Sequence, residues 1–336
     1  MSQTYKSIQI GPIALEGNVL LAPITGVSDM PFRKLVKSFG ASLVMSEMIA
    51  SQAMIRETRQ SMKMISKSPE EGPFAVQLAG CDPNVMAEAA KLNEDLGADI
   101  IDINMGCPVK KVAIKSFAGS ALMRDEALAA KIIQAIVNAV KIPVTLKMRT
   151  GWDDQHRNAP TLAKIAEDCG IQMVTVHGRT RCQLYNGRAD WQFIRQVKDA
   201  VKIPVIGNGD VTQEEEALEL LHQSGADGVM IARGAFGRPW FLNQICHFLE
   251  TGQKISTPSL EEQKQVVLNH YQAILEYHGV EVGIKMARKH LGWYSKGLKN
   301  SAEFRVQINQ LWDVQEITDA VRHFYDDNIA QAESIQ

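Results

Sequence analysis

Apolar residues in this chain gather in short dense runs, separated by longer stretches in which they recur at helical spacing. The runs are Val19 to Ala22, Leu43 to Ser46, Phe74 to Leu78, Asp99 to Ile103, Val144 to Met148, Met173 to Val176, Val205 to Ile206 and Gly228 to Ile231. Runs this short, rich in Val and Ile and bounded by turn residues, read as strands buried on both faces. Eight such strands, each followed by a helix over about 250 residues, predict an α/β fold, a (β/α)8 TIM barrel. Strands two, four, six and eight follow Gly40, Gly97, Gly170 and Gly225, whereas strands three, five and seven follow Pro73, Pro143 and Pro204. Glycine ends a helix in the left-handed conformation and proline suits the first residue of a strand. The near-repeat of residues 139–144 at 200–205 continues the rhythm and supports a barrel of repeated units.

The pattern changes at both ends. Ile8 to Ile10 and Ile13 to Leu15 flank Gly11-Pro12, which predicts a hairpin within residues 1–18 closing the barrel bottom, the barrel itself reaching residue 250. Residues 251–258 read as a polar linker. From 259 to 336 the spacing is helical again: Ser259 and Glu262 form a capping box for a helix running to about Gly279. Further helical stretches from about Val282, Ala302 and Val314 predict a small C-terminal α-helical bundle.

Composition narrows the class without deciding the function. With 45% hydrophobic and 22% charged residues the 336-residue chain reads as a soluble globular protein. No stretch approaches the roughly 18 to 20 apolar residues of a membrane helix, and the first residues lack a signal-peptide core, so the cytoplasm is the expected compartment. Five cysteines (81, 107, 169, 182 and 246) have neither disulfide-framework nor zinc spacing, and the histidines show no metal-ligand pattern, so no metal is expected. No extended coiled-coil pattern is present, which favours a monomer. The net charge of −2 carries no bulk sign of nucleic-acid binding, but it conceals opposed patches. Acids collect at Glu214 to Glu216. Between Lys285 and Arg305, six basic residues, Arg288 and Lys289 among them, face the single acid Glu303.

A barrel brings the carboxyl ends of its strands to one rim. Here that rim would hold Pro23-Ile24-Thr25, Glu47, Gln77, Asn104 with Cys107, Lys147 with Arg149, His177 with Arg179, Asn208-Gly209-Asp210 and Ala232-Arg233-Gly234. Each has a bland reading: Cys107 a packed thiol, Gln77 a capping group, His177 a strand-end histidine, Lys147 a solvated cation. Two features favour function. Gly106 permits a sharp turn and Pro108 stiffens its exit, so the thiol is presented by a shaped loop. The polar groups also coincide at every strand end. The loops after strands seven and eight resemble a phosphate cup, with glycines for close backbone approach and Arg233 for charge. Lys147 would stabilise negative charge on a flavin, and Gln77 would bond a pyrimidine-like edge. These features suggest FMN.

Taken in order, 21–29 (LAPITGVSD), Val76-Gln77-Leu78, Asn104-Met105-Gly106-Cys107-Pro108 with Lys110-Lys111-Val112, 147–152 (KMRTGW), 177–181 (HGRTR) and Asn208-Gly209-Asp210 closely resemble the tRNA-dihydrouridine synthases. The resemblance covers nearly the whole chain. Its form, with Ala287-Arg288-Lys289-His290 near the C terminus, is most similar to the bacterial B-type subfamily. It implies an FMN-dependent oxidoreductase, re-reduced by NADPH, that saturates the C5=C6 bond of a D-loop uridine in tRNA. Hydride would pass from flavin N5 to C6, and Cys107 would protonate C5 as general acid. By motif position Pro23, Ile24, Thr25, Gln77, Lys147, His177, Asn208, Gly209, Asp210, Ala232 and Arg233 would hold FMN, and Asn104 and Arg179 would orient the uracil. One departure is Ala232, where the family usually has glycine. Residues 112–120 are similar to the family's loop over the active site and are expected to be mobile without RNA.

A uridine inside folded tRNA must leave its stack to reach a barrel mouth, so a basic surface is required. Lys110, Lys111, Lys115, Arg149, Arg179, Arg181 and Arg188 fall in rim loops, and the 285–305 cluster would hold phosphates. Charge reversal at Arg288 and Lys289 is expected to weaken tRNA binding and leave FMN bound. Two rivals remain: an FMN oxidoreductase acting on a free pyrimidine or on ribosomal RNA, and an RNA-binding protein with a vestigial flavin site.

Overall fold

A computed structural model of the chain describes residues 4–334. Residues 1–3 and 335–336, the outer ends of the first and last predicted segments, lie outside the described residues. Strands β1 (Ile8–Ile10) and β2 (Ile13–Leu15) pair antiparallel as a hairpin. Then follow β3 (Val19–Leu21), β4 (Val44–Met45), β5 (Ile49–Ala50), β6 (Phe74–Ala79), β7 (Ile100–Met105), β8 (Val144–Arg149), β9 (Val174–His177), β10 (Val205–Asn208) and β11 (Gly228–Ile231). All except the hairpin run parallel in the order β3-β11-β10-β9-β8-β7-β6-β4, with β5 attached to the upper end of β6. A bridge between Leu20 and Leu43 joins the two ends of this order, and the Leu21 N–H donates to the Leu43 carbonyl at 3.0 Å. The sheet thereby closes on itself, and the predicted TIM barrel is present.

Strand parity explains where the chemistry sits. Inward positions at the bottom are apolar: Leu20, Leu43, Ala75, Ile100, Met173, Ile206 and Met230 pack with Ile8, Ile10 and Leu15 of the hairpin, which plugs that end. Two residues further along, the inward positions of four strands turn polar, at Gln77, Asp102, Thr175 and Asn208, while Ala22, Met45 and Ala232 stay apolar. The outward positions Ile101, Ile103, Leu146, Val174 and Val205 are buried beneath the helix layer, against Ile133, Leu162, Ile194 and Leu220. The four glycines that end helices all have positive φ, from 63° at Gly225 to 102° at Gly170, the conformation that makes glycine the economical choice there.

After the helix Phe241–Thr251 the chain forms four more helices, Leu260–His278, Val280–Tyr294, Ser301–Gln310 and Val314–Glu333. Ser259 and Glu262 make the predicted capping box. The bundle has its own core, including Val267, Tyr271, Ile284, Leu291, Phe304, Ile308 and Val321. It docks on the barrel through Phe32, which packs beside the rings of His270 and His290, through a 2.7 Å contact between His278 Nε2 and Asp29 Oδ2, and through Trp293 stacked on Phe236 at 4.2 Å. Strand β5 has no counterpart in the sequence reading. A two-residue run carries no periodicity, and only its pairing of Ile49 with Leu78 and Ala50 with Ala79 makes it a strand. Part of the loop after β7 is also more regular than expected: Lys111–Lys115 forms a turn of π-helix and Gly119–Arg124 a 3-10 helix.

Candidate active site

The polar upper layer opens into one cavity of about 780 Å³ at the carboxyl ends of the strands. Pro23, Ile24 and Thr25 after β3, Gln77 on β6, Asn104 and Cys107 of β7 and its loop, and Lys147 and Arg149 on β8 all line it. So do His177 on β9, Asn208, Gly209 and Asp210 at the end of β10, and Ala232 and Arg233 after β11. Residues separated by up to 210 positions thus share one space. Lys110, Lys111, Arg179, Arg181, Arg288 and Lys289 lie outside the cavity wall.

Cys107 sits on a loop that is fastened at several points. Its N–H donates to Asn104 Oδ1 at 2.9 Å, and its carbonyl accepts from the Ser120 N–H at 3.2 Å and hydroxyl at 2.8 Å. Gly119 lies so close that a Cβ there would meet the Cys107 carbonyl at 3.0 Å, and its φ of 59° also excludes most side chains. Burial pushes the thiol up from its ordinary value, against the Val109 N–H and Arg149, so the thiol keeps its proton at neutral pH.

Across the mouth, the Lys147 ammonium donates to Asn208 Oδ1 at 3.1 Å, and Asn208 is held in turn by the Met230 carbonyl at 2.7 Å. Burial lowers this lysine to about 8, with Asp102 opposing the shift and Arg149 adding to it. Burial, reinforced by Arg149, Lys147, Arg179 and Arg233, holds His177 well below the usual histidine range, so the ring is neutral. Its Nε2 lies 3.3 Å from Arg179 Nη1; an arginine can only donate, so Nε2 accepts and Nδ1 carries the proton.

Two arginines expected at the rim are buried struts. Arg149 donates to the carbonyls of Gly106, Thr180 and Leu184, each at 2.8 Å, and so ties the Cys107 loop to the loop after β9. Arg179 forks onto Asp210 at 2.8 and 2.7 Å and also donates to Asn186 and Gly187 carbonyls. The Asp210 carboxylate is therefore turned to Arg179, Arg233 and the Ala189 N–H, and these partners hold it below the usual carboxylate range despite its burial. Arg181 stacks over Trp152, while Lys110 and Lys111 are exposed. Lys289 reaches from the bundle to the Gly26 carbonyl, and the Gly26 N–H donates to Glu47 on the other side. Arg288 lies over the Trp312 ring and donates to the Leu311 carbonyl.

The site holds residues that sequence reasoning missed. Asp102 and Thr145 lie under the cavity floor; Tyr185, 56% exposed, stands at its edge with Arg149 and Arg233 each 5.5 Å from the ring. Asp102 had a signal, an acid at the same strand parity as Asn104. Tyr185 had none, because only folding brings its loop to the mouth. Lys296, known from sequence only as one cation of a cluster, lines both this cavity and a neighbouring basic groove of about 510 Å³ with Arg288, Lys289 and Arg305. The cavity offers cations, bare backbone at Gly209 and Gly234 and a deep polar floor, the inventory that a planar phosphorylated cofactor requires. Among the described residues no cluster has metal-binding geometry.

The family model for dihydrouridine synthase (Dus) matches residues 20–330. The chain belongs to the dihydrouridine synthase family. A probable tRNA-dihydrouridine synthase of Rickettsia bellii is 61% identical over 319 residues, covering 95% of this chain and 98% of its own. The tRNA-dihydrouridine synthase B of Xanthomonas axonopodis pv. citri is 50% identical over 303 residues, 90% of this chain and 91% of that protein. Among solved structures, histamine dehydrogenase from Rhizobium sp. 4-9 superposes with a TM-score of 0.57 at 11% identity, over 98% of this chain and 65% of that one. At that identity the likeness extends to the fold only.

Proposed function

We propose that this protein is an FMN-dependent tRNA-dihydrouridine synthase of the B type, which reduces the C5=C6 bond of a D-loop uridine with NADPH as reductant. The residues fit FMN. Lys147 and Arg233 provide positive charge at opposite parts of the cavity, and Gln77 retains an unused N–H and a lone pair for a ring edge. Gly209 and Gly234 line the cavity, and a Cβ at Gly234 would meet the Val211 carbonyl at 2.5 Å, so glycine alone is accommodated there. Bound FMN would supply the hydride. Pro23, Ile24 and Thr25 would pack the ring, while Asn208, Gly209, Asp210, Ala232 and Arg233 would receive the ribityl phosphate end. Asp210 would act through its backbone and by holding Arg179.

The chain's own chemistry centres on Cys107. A thiol that keeps its proton, on a loop fastened by Asn104 and Ser120, can deliver it to C5 as charge develops there. Neutral His177 and the charged Lys147 offer hydrogen bonds that polarise a carbonyl-rich ring without competing for that proton. Tyr185 gives the flipped base an aromatic face. Cytoplasmic tRNA would lie along the bundle groove and the exposed Lys110, Lys111 and Lys115, in whose segment the apolar Ile114 and Phe117 are also exposed, the latter by 70%. Cations interleaved with apolar side chains suit a nucleic-acid surface.

The observation that carries the proposal is the convergence of Cys107 and Lys147 on one cavity, where burial pushes the thiol up and the lysine down. Unmodified tRNA incubated with the protein and NADPH should gain two hydrogen masses in the D-loop by mass spectrometry. Cys107→Ala should bind FMN and oxidise NADPH yet leave the tRNA unreduced. No gain in any tRNA from FMN-loaded wild type would move the reaction to ribosomal RNA or a free pyrimidine.

A further inference from the structure

The floor of the cavity contains a chain of hydrogen bonds between side chains on three adjacent strands, β6, β7 and β8. Asp102 Oδ2 accepts from Gln77 Nε2 at 2.7 Å; Gln77 Oε1 accepts from Asn104 Nδ2 at 2.7 Å; Asn104 Oδ1 accepts from the N–H groups of Gly106 at 3.1 Å and Cys107 at 2.9 Å. Asp102 Oδ1 takes the hydroxyl of Thr145 at 2.6 Å. Asp102 and Thr145 are fully buried, Gln77 is 1% exposed and Asn104 8%.

Both interior links are amides, and an amide can bond either way round. Only the ends decide. At the upper end the backbone N–H groups of Gly106 and Cys107 can only donate, so Asn104 must present oxygen to them. At the lower end the ionised Asp102 carboxylate, whose pKa burial raises while the bonds from Gln77 and Thr145 and the charge of Lys147 oppose, can only accept, so Gln77 must present nitrogen to it. These two constraints are compatible with one orientation of each amide, and that orientation leaves one Gln77 N–H and one Asn104 N–H free to face the cavity.

We propose that Asp102 is a positioning residue for the reaction: it fixes the polarity of the Gln77–Asn104 relay and through it the placement of the Cys107 loop. Asp102 does not line the cavity and so acts through Gln77 and Asn104. Without it Gln77 can rotate, its Nε2 loses a buried partner, and the Asn104 anchor on the Cys107 N–H is no longer enforced from below. The inference deepens the proposed role of Cys107 as proton donor and rests on that reading, but the loop placement can be read without turnover.

The test uses the FMN-loaded protein with two substitutions. Asp102→Asn can preserve the relay, because its side-chain oxygen can accept from Gln77 while its nitrogen donates to the Thr145 hydroxyl. Asp102→Ala cannot. The Ala variant is expected to lose about tenfold in kcat with KM for tRNA within about twofold, and to change the rate of Cys107 alkylation by iodoacetamide, whereas the Asn variant stays within about threefold of wild type in both. Thr145→Val, a near-isosteric change, should shift both readouts in the same direction as Ala but less, and it carries the test should Asp102→Ala fail to fold. Asn as damaging as Ala would overturn the relay in favour of a simple charge effect. Wild-type alkylation and turnover in Asp102→Ala and Thr145→Val would overturn it entirely. If the wild type reduces no tRNA, the proposed function fails, while the alkylation contrast still decides the relay.

Discussion

Lys147 shows how a single side chain can oppose stability in the service of a site. Its ordinary value is 10.5, and in the folded protein burial brings it to about 8. Between those values the unfolded chain holds more protons than the folded one, so this group's contribution to stability rises with pH across that window. Below pH 8 the full cost of burying the charge is present. Lys147→Met should therefore raise the melting temperature of the FMN-free protein at pH 7 while abolishing tRNA reduction, the trade expected of a charge kept for function. Thermal unfolding at pH 7, paired with a turnover assay, would check it; a lowered melting temperature would mean that the bond to Asn208 outweighs the desolvation.

The bundle helix Val280–Tyr294 is both a basic face and a strut, and its cations divide accordingly. Lys289 is turned inward to the Gly26 carbonyl, next to the Thr25 that lines the cavity, and burial lowers its pKa while Asp29 and Glu47 oppose. Reversing its charge would break a tie between bundle and barrel, so loss of tRNA binding in that variant would not isolate an RNA contact. Lys296 and Arg305 line the groove without such a duty. The double variant Lys296→Glu/Arg305→Glu is expected to weaken tRNA binding by about tenfold or more near 0.1 M salt, and to reduce the salt slope by about 2. Flavin absorbance of the purified variant separates loss of an RNA contact from disturbance of the cavity that Lys296 also lines. A filter-binding titration at several salt concentrations measures both, and an unaltered slope would remove these residues from the phosphate contacts.

At the scale of the whole molecule, the barrel and bundle meet over buried neutral histidines. His270 is brought to about 4 by burial, its Nδ1 lying 3.0 Å from the Tyr294 hydroxyl and its ring against Phe32 and His290. His290 and, at the active site, His177 are likewise held well below 6.5. Above pH 6.5 these rings are neutral folded or unfolded. As pH falls from about 6.5 towards 4 the unfolded chain takes up protons that the folded chain refuses, and stability is lost. For His270 alone the loss between pH 7 and 5 is about 2 kcal/mol. His270→Phe should flatten the fall in urea midpoint between those pH values; an unchanged fall would place the acid sensitivity elsewhere.

The sequence by itself determined the barrel, because eight dense apolar runs with glycine or proline before seven of them leave few other ways to bury that surface. It also determined which strand ends meet: fourteen of the named residues, from Pro23 to Arg233, share one cavity, because position along a parallel strand dictates position along the barrel axis. What it did not determine is how the polar groups are divided between facing a ligand and holding other residues. Arg149 and Arg179 are as basic as Lys110, yet their donors go to backbone carbonyls and to Asp210. Asp102 reads as a polar interruption of a strand until Gln77 and Thr145 come beside it from neighbouring strands. Tyr185, Lys296 and β5 likewise take their places from contacts far apart in the chain. Local spacing encodes which face of an element a residue occupies; a hydrogen-bond partner across two elements is fixed only when packing sets their separation, and that was decided by the tertiary structure.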